Sequence, residues 1–269
     1  MPDLYTRIAD APAAALDALM TILERRAADP QQIAMRDTYL ADVAPPPGAR
    51  VLEVGCGTGA VTRALAAWPG VAQTVGLDPS PVFIGRARTL AAGQNQITFV
   101  PADGRSLPFA DATFDAVVFH TTLCHVPEPE RMLHEAARVL RRDGRLAIFD
   151  GDYATATLAL GPGDPLEACA AAFRANFVHD PWLVRRLPSL VRAAGLSIQR
   201  LRSFGYVEML EPGFMLLSWV DLGADALAAS GQMHAETAAG LKAEARRRVA
   251  EGRYFGHIAY LSLVARKPG

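Results

Sequence analysis

The feature that most constrains the fold of this chain is a regular alternation of short apolar runs with helix-length segments between Arg50 and Asp150. Such alternation is typical of a parallel sheet whose strands are connected by helices on both of its faces. The runs VLEV, AVVF and LAIF are continuously apolar, as expected of strands that are buried on both sides. The sequence therefore predicts an α/β fold with a parallel sheet between layers of helices.

The last apolar run of the chain has a different pattern. YFGHIAYLSLVAR is long and alternating, which is typical of an antiparallel strand. We therefore predict a Rossmann-like, seven-stranded, mostly parallel sheet with helices on both faces and the last strand antiparallel. A helix between the fourth and fifth strands is predicted to include residues from Met132 to Leu140 and to stop at Gly144.

A glycine-rich turn follows the first predicted strand, in VLEVGCGTGAV. Gly55, Gly57 and Gly59 allow the backbone to take positive φ and to approach a ligand closely. A tight strand-to-helix turn without any ligand would use the same residues. The turn alone is therefore weak support for a binding site.

The spacing of this turn differs from that of a dinucleotide-binding loop. In the dinucleotide fingerprint the third glycine comes three residues after the second and the loop holds a pyrophosphate, whereas here it comes two residues after. The acid before the loop, Glu53, would repel a pyrophosphate but would attract an ammonium group. The pattern therefore favours S-adenosylmethionine, which has a cationic sulfonium and no phosphate, over a nicotinamide dinucleotide.

Two further acids follow later predicted strands. Asp78 ends the second strand in VGLDPS, where a carboxylate can accept hydrogen bonds from both hydroxyls of a ribose. Its alternative role is to cap the helix that follows, ahead of Pro79 and Ser80. Asp103 follows the third strand, where its carboxylate can accept from an adenine amino group while the amide of Gly104 donates to a ring nitrogen.

The net charge indicates which kind of partner the chain can bind, and its cysteines indicate the compartment in which it works. Lys and Arg total 27 against 28 for Asp and Glu, so no net positive charge is available to hold nucleic acid. The three cysteines lie far apart, which fits a reducing compartment. No signal peptide is recognised, and no apolar run reaches the roughly 18 residues that span a bilayer. We expect a cytoplasmic protein without a membrane span that acts on a small molecule and not on nucleic acid.

Three spaced motifs carry a family resemblance: VLEVGCGTG, GLDPS and the run ADGRSLPFADATFDAVVFHTTLCHVPEPERMLHEAARVLRRDGRLAIFD. Over about residues 35–152 the chain resembles the class I S-adenosylmethionine-dependent methyltransferases. The branch it resembles, methyltransferase-11, is similar to the ubiquinone and menaquinone methyltransferases. The resemblance implies S-adenosyl-L-methionine as cofactor and S-adenosyl-L-homocysteine as product, and no metal site is expected. The residues implied to bind the cofactor are Glu53, Gly55, Cys56, Gly57, Asp78, Pro79, Ala102, Asp103, Gly104 and His120.

The resemblance also implies a division of the chain. Residues 1–44 are expected to form an N-terminal helical lid, and residues 45–269 the methyltransferase domain. Candidates to close the lid over the cofactor are Tyr5, Met35 and Arg36, with a surface role as the alternative for Arg36.

Acceptor recognition is expected from about residues 155–185 and 205–252, where no subfamily match identifies a substrate. The apolar stretch FGYVEMLEPGFMLLSWV suggests a pocket for a hydrophobic acceptor, although packing of a core helix explains the same residues at least as well. Candidates to line such a pocket are Tyr153, His179, Tyr206, Tyr254 and His257.

The expected chemistry does not require a catalytic side chain. Methyl transfer from a sulfonium is an in-line displacement with a neutral thioether as leaving group, so positioning of an O, N or C acceptor can supply most of the catalysis. Where the acceptor must lose a proton, a base would help by about a hundredfold or more. His125, after the fourth strand, is the candidate base, with a structural or cofactor-side role as its alternative. The competing functions are an NAD(P)-dependent oxidoreductase and a non-catalytic S-adenosylmethionine-binding protein.

Overall fold

A seven-stranded sheet forms the centre of the structure, a computed structural model that describes residues 13–209 and 215–269. The strands, β1 to β7 in chain order, are Ala49–Val54, Val71–Asp78, Ile97–Pro101, Phe114–His120, Leu140–Thr157, Ser197–Glu208 and Gly256–Arg266. Their spatial order is β3, β2, β1, β4, β5, β7, β6. Strands β1 to β5 pair in parallel, and β7 is antiparallel to both of its neighbours. The predicted seven-stranded Rossmann-like sheet with an antiparallel last strand is therefore confirmed.

Helices connect most of these strands, and two further helices precede the first strand. Those that the structure describes, α1 to α9, span Ala13–Ala28, Pro30–Val43, Ala60–Ala66, Pro81–Leu90, Pro129–Val139, Leu166–Phe177, Leu187–Ala193, Met215–Ala229 and Ala235–Ala250. Within residues 13–209 and 215–269, none of them combines the length and the apolar character needed to cross a membrane.

Neighbouring residues of β1 show that helices cover both faces of the sheet. The carboxylate of Glu53 accepts a hydrogen bond from Thr62 of α3. The next side chain, Val54, lies on the opposite face, where it and Met132 of α5 pack around Gly104. The two faces of β1 are thus buried under different helices, which explains why Val51, Leu52 and Val54 are all apolar.

The strand order places a crevice beside β1. The chain runs outward from β1 to β2 and β3, then returns to the other side of β1 to form β4. The connections after β1 and β4 therefore leave the sheet in opposite directions. In open α/β sheets, ligands bind at the carboxyl ends of the strands at such a switch point.

One predicted boundary is wrong. Helix α5 ends at Val139, and Leu140 opens β5, in which Gly144 lies within the strand instead of stopping the helix. Leu140 pairs with Phe114 of β4 and is fully buried. A buried leucine one residue beyond a helix fits the apolar spacing of that helix, so periodicity alone did not separate the two elements.

Helices α6 and α8, in the segments expected to recognise an acceptor, pack one face into the core. Trp219 of α8 stacks on Phe173 of α6, with ring centroids 4.2 Å apart, and on Tyr153 of β5 at 5.6 Å. Leu216 and Val220 are fully buried beside them. Core packing therefore accounts for the buried residues of the apolar stretch 204–220, in which Met209 is exposed, while residues 210–214 lie outside the described residues.

Candidate functional site

A cavity lies at the carboxyl ends of β1, β2 and β4, and α1 and α2 contribute to its wall. It therefore occupies the crevice that the strand order predicts. The wall includes seven of the ten predicted cofactor residues and the candidate base: Glu53, Gly55, Cys56, Gly57, Asp78, Pro79, His120 and His125.

The glycine loop is held against the end of β2 by its own backbone. The amides of Gly55 and Cys56 both donate to the carbonyl of Leu77, at 2.7 and 3.0 Å. Gly55 and Gly57 have φ values of 76° and 51°, in the left-handed region that favours glycine. A Cβ on Gly55 would lie 2.3 Å from Cγ2 of Thr122, so close packing requires glycine here as strictly as the backbone does.

Asp78 connects the glycine loop to the helix after β2. Its Oδ2 accepts a hydrogen bond from the amide of Gly57 and its Oδ1 from the amide of Ser80, both at 2.9 Å. The alternative in which Asp78 caps the helix is wrong, because α4 begins at Pro81 and Ser80 caps it by accepting from the amide of Phe83. Each carboxylate oxygen of Asp78 retains a lone pair that can accept a further donor from the cavity.

Glu53 is a buried acid without a cationic partner in its carboxyl hydrogen bonds. Its pKa is raised from 4.5 to about 8: burial has the largest effect, the nearby negative charge of Asp78 adds to it, and the hydrogen bond from the hydroxyl of Thr62 opposes both. Burial also raises the pKa of Asp78. Two desolvated acids on one cavity wall favour a cationic ligand and disfavour a pyrophosphate.

The raised pKa of Glu53 predicts a pH dependence of stability. Because the folded protein binds this proton more tightly than the unfolded chain, its free energy of unfolding falls as the pH rises from about 4.5 to about 8 and then levels off. We expect the unfolding midpoint of the ligand-free protein to fall over this interval more steeply than that of Glu53→Gln. Thermal unfolding at a series of pH values measures the difference, and parallel profiles for the two proteins would contradict the prediction.

Cys56 contributes a buried thiol to the same wall. Burial raises its pKa well above the ordinary value, and the residue belongs to an apolar cluster with Ile84 and Phe99. A thiol that stays protonated is a poor nucleophile. The side chain of Cys56 therefore packs in this cluster. Its backbone amide holds the loop through the hydrogen bond to Leu77.

The three remaining cofactor candidates, Ala102, Asp103 and Gly104, are not part of the described cavity wall. The carboxylate of Asp103 is exposed and pairs with Arg105 at 2.7 Å, and the Arg105 guanidinium lowers its pKa. A Cβ on Gly104 would lie 2.4 Å from Cε of Met132, so packing alone requires this glycine. Their roles toward adenine stay predictions.

His125 lies in a 3₁₀ turn, Leu123–His125, directly after β4. The ring is buried, lines the cavity and meets Tyr153 edge-on with centroids 5.9 Å apart. Beneath the turn, the fully buried Asp150 accepts a hydrogen bond from the amide of Cys124 at 3.1 Å. The turn is thus firmly placed at the cavity, and the base role of His125 stays a prediction.

The N-terminal helices close one side of the cavity. Arg26 of α1 donates to the hydroxyl of Thr121 at 2.7 Å, directly beyond β4. Arg36 of α2 lines the cavity, whereas Met35 is buried in the core. Tyr5, the third lid candidate, lies outside the described residues.

Sequence reasoning missed two residues of α2, Gln32 and Tyr39. Gln32 lines the cavity. The hydroxyl of Tyr39 is within hydrogen-bond distance of Nδ1 of His120, which also lines it. Residues 32, 36 and 39 follow the i, i+4, i+7 spacing of one helix face. This spacing could have shown that the three residues share one face of α2. It does not show which strand that face packs against.

The five residues proposed to line an acceptor pocket are not in the described wall of this cavity. Tyr153 is buried behind His125. The hydroxyl of Tyr206 donates to Asp29 at 3.0 Å, at the start of α2. Tyr254 is buried, His257 is half-buried and His179 is exposed. In the described part of the chain, no group of three His, Cys, Asp or Glu side chains is arranged to hold a metal ion.

Comparison with known families identifies the central part of the chain. Residues 52–148 match the model of a methyltransferase domain family, Methyltransf_11. The match begins in β1 and ends in β5, so it contains the glycine loop, Asp78 and the turn after β4. The predicted resemblance to this branch is confirmed.

Similar proteins support the same assignment over different shares of the chain. A demethylmenaquinone methyltransferase of Clavibacter sepedonicus is 42% identical over 108 residues, which are 40% of this chain and 43% of the relative. Methyltransferase GfsG of Streptomyces halstedii is 31% identical over 163 residues, 57% of this chain and 55% of the relative. The chain thus spans about half the length of these curated relatives. A provisionally assigned methyltransferase of Bacillus halodurans C-125 has the same fold, with a TM-score of 0.63, 21% identity, and coverage of 87% of this chain and 99% of that one.

Proposed function

We propose that this chain, whose residues 52–148 match the model of a methyltransferase domain, transfers the methyl group of S-adenosylmethionine to a small molecule. The observation that carries the proposal is the pair of buried acids, Glu53 and Asp78, on either side of a glycine loop in one cavity. A nicotinamide dinucleotide would bring a pyrophosphate close to Glu53 and Asp78, and each of these carboxyls that ionises would repel it, which disfavours the oxidoreductase alternative.

The residues of the wall suit the different parts of this cofactor. The backbone of Gly55, Cys56 and Gly57 would follow its amino-acid portion, with the carboxylate of Glu53 on the side of the ammonium group. Asp78 would accept the ribose hydroxyls with the lone pairs that its amide partners leave free. Pro79 and His120, which also line the cavity, are proposed as further cofactor contacts, and Ala102, Asp103 and Gly104 are proposed for the adenine end. When bound, the cofactor supplies an electrophilic methyl group on sulfur.

The chain's own contribution to the reaction is positioning and exclusion of water. We propose residues 1–44 as a lid and residues 45–269 as the methyltransferase domain, since α1 and α2 supply Arg26, Gln32 and Arg36 to the cavity. An acceptor enclosed there would be held close to the methyl group, and such positioning lowers the barrier without a catalytic side chain. His125 remains the proposed base for an acceptor that must lose a proton.

The acceptor is proposed to be a small, hydrophobic molecule and not nucleic acid. Acidic and basic residues nearly balance, at 28 and 27, and one relative is named for demethylmenaquinone. Quinol-type compounds are therefore the first acceptors to test. A cytoplasmic location is proposed because the three widely spaced cysteines fit a reducing compartment.

Calorimetric titration tests the cofactor assignment. We expect S-adenosylmethionine and S-adenosylhomocysteine to bind with micromolar or tighter dissociation constants, and NAD⁺ to show no binding at the same concentrations. Binding of NAD⁺ without binding of S-adenosylhomocysteine would overturn the proposal. Release of S-adenosylhomocysteine in the presence of naphthohydroquinones or other small acceptors would then separate an enzyme from a non-catalytic binding protein.

A further inference from the structure

One side of the cavity is formed by helix α1, which lies against the glycine loop. Leu23, Arg26 and Ala27 of this helix line the cavity. The contact with the loop is close, because a Cβ on Gly57 would lie 3.0 Å from Cδ1 of Leu23. A ligand that binds the backbone of the glycine loop would therefore have α1 beside it.

Arg63, on α3, connects α1 to the glycine loop. One terminal nitrogen of its guanidinium pairs with the carboxylate of Glu24, on α1, at 2.7 Å. The other terminal nitrogen donates to the carbonyl of Thr58, in the glycine loop, at 2.9 Å. The side chains of Arg63 and Glu24 are only 20% and 31% exposed, so solvent screens their attraction less than that of a surface pair.

A second polar contact holds α1 over the neighbouring strand. Arg26 donates to the hydroxyl of Thr121, the residue after β4, at 2.7 Å. Strand β4 lies next to β1 in the sheet. Helix α1 is therefore attached near the carboxyl ends of two adjacent strands, and it covers the cavity between them.

The apolar contacts of α1 are separate from the main core. Leu16, Leu19, Met20 and Leu23 pack with Phe83 of α4 in a small cluster of their own. Among the described residues, none from α1 belongs to the main cluster. Helix α1 could therefore leave its place without opening the core, as expected of a segment with few buried apolar contacts.

Helix α2, in contrast, is part of the main core. Met35, Tyr39, Leu40 and Val43 are all buried in it. Moving α2 would expose these large apolar side chains to water, which is strongly unfavourable. The end of the helix is held as well, since Arg145 of β5 donates to the carbonyl of Val43 at 2.6 Å.

The junction between the two helices is anchored on the side of α2. Asp29 accepts from the amides of Gln31 and Gln32 through Oδ1, and from the hydroxyl of Tyr206 through Oδ2 at 3.0 Å. The side-chain amide of Gln31 also forms two hydrogen bonds with the backbone of Val207, at 2.7 and 3.2 Å. Asp29 itself has an extended backbone between two helices. An extended residue at the end of a fixed element is a position where a chain can bend.

We infer that α1 is a lid that turns about Asp29 while α2 stays in place, and that Arg63 is the positioning residue that holds this lid closed. Of the proposed lid, residues 1–44, α1 moves and α2 is a fixed wall. A ligand on the glycine loop leaves when α1 opens, so its dissociation rate depends on the contact between Glu24 and Arg63. The inference rests on the proposed function for the identity of this ligand, but the attachments of the two helices do not depend on it.

Hydrogen exchange of the full-length, ligand-free protein tests the hinge. We expect the amides of α1 to exchange at least about tenfold faster than those of α2, because only α1 opens without unfolding the core. Glu24→Gln should speed the exchange of α1 and leave that of α2 unchanged. Equal exchange in the two helices would overturn the inference.

The dissociation rate of S-adenosylhomocysteine, measured by stopped-flow displacement, tests the role of Arg63. We expect it to rise about threefold in Glu24→Gln, which keeps the contact of Arg63 with Thr58, and about tenfold in Arg63→Met, which removes both contacts. Association should be unchanged or faster. The matched control is Glu251→Gln, which removes an exposed ion pair outside the described cavity wall and should leave both rates unchanged.

The pattern of the rates distinguishes a lid from a damaged site. Higher ionic strength should speed dissociation from the unmodified protein more than from Glu24→Gln, because salt screens the ion pair. Slower association in Glu24→Gln, or an unchanged dissociation rate, would overturn the role of Arg63. Failure of the unmodified protein to bind S-adenosylhomocysteine would count against the proposed function, and hydrogen exchange of α1 and α2 would still decide whether Asp29 is a hinge.

Discussion

Gly55→Ala is expected to lower the free energy of unfolding by about 3 kcal/mol or more and to abolish S-adenosylhomocysteine binding. The new Cβ would lie 2.3 Å from Cγ2 and 2.6 Å from Oγ1 of Thr122, and the backbone there has a φ of 76°. Thr122 cannot move freely, because it is buried and its hydroxyl lies within hydrogen-bond distance of the carbonyls of Val54 and His120. The glycine loop would have to move instead, and with it the wall of the cavity.

Gly48→Ala is the matched control for this substitution. Gly48 has nearly the same φ, 79°, but a Cβ there would meet nothing within 4 Å. It should therefore show only the cost of a left-handed backbone, about 1 kcal/mol, with unchanged ligand binding. Chemical denaturation and calorimetry measure both effects. Equal losses in the two variants would show that the overlap with Thr122 does not matter.

The double variant Gly55→Ala with Thr122→Ala separates steric overlap from backbone strain. Removing Cγ2 and Oγ1 takes away the two nearest atoms and leaves the Thr122 Cβ position, 3.0 Å from the new atom. We expect the double variant to be more stable than Gly55→Ala alone, because neighbouring substitutions that relieve one overlap are not additive. Additive losses would contradict this explanation.

The parts of the site that could be predicted from the sequence are those set by strand ends. Glu53 and Asp78 come at the carboxyl ends of two buried strands, and parallel strands present these ends at one edge of the sheet. The glycines between them were recognisable because few residues tolerate positive φ. Local sequence therefore predicted one half of the cavity wall by residue number.

The other half depends on contacts that local sequence does not encode. Tyr39 and His120 are 81 positions apart, and the helical spacing around Tyr39 gives an apolar face without naming its partner. Arg26 reaches Thr121 in the same way, over 95 positions. Pairings of this kind follow from how α1 and α2 dock on the finished sheet, which periodicity cannot predict.

Asp103 shows a different limit. Its position after β3 suggested a ligand contact, but its carboxylate pairs with Arg105, two residues later. This short separation was visible in the sequence, so the competing ion pair could have been weighed against the adenine role. An exposed pair of this kind contributes little to stability, and a ligand that offers better donors could displace it.

Asp78→Ala is expected to weaken S-adenosylhomocysteine binding by at least about tenfold, because hydrogen bonds to a charged group contribute roughly 1.5–3 kcal/mol each. The carboxylate has two tasks that must be separated: it holds the amides of Gly57 and Ser80, and it is proposed to accept the ribose hydroxyls. Asp78→Asn keeps one acceptor oxygen and the shape of the side chain, so it should lose less affinity than Asp78→Ala.

A ligand without one ribose hydroxyl distinguishes the two tasks of Asp78. We expect the unmodified protein to bind S-adenosylhomocysteine about tenfold more tightly than its 2′-deoxy analogue, and Asp78→Ala to bind both equally, although more weakly. If Asp78 only held the glycine loop, its removal would weaken both ligands by the same factor and the preference for the hydroxyl would persist. That persistence would refute the ribose assignment, because the hydroxyl would then have another partner. Loss of the preference together with a retained fold would instead mean that the acid after β2 recognises the sugar directly.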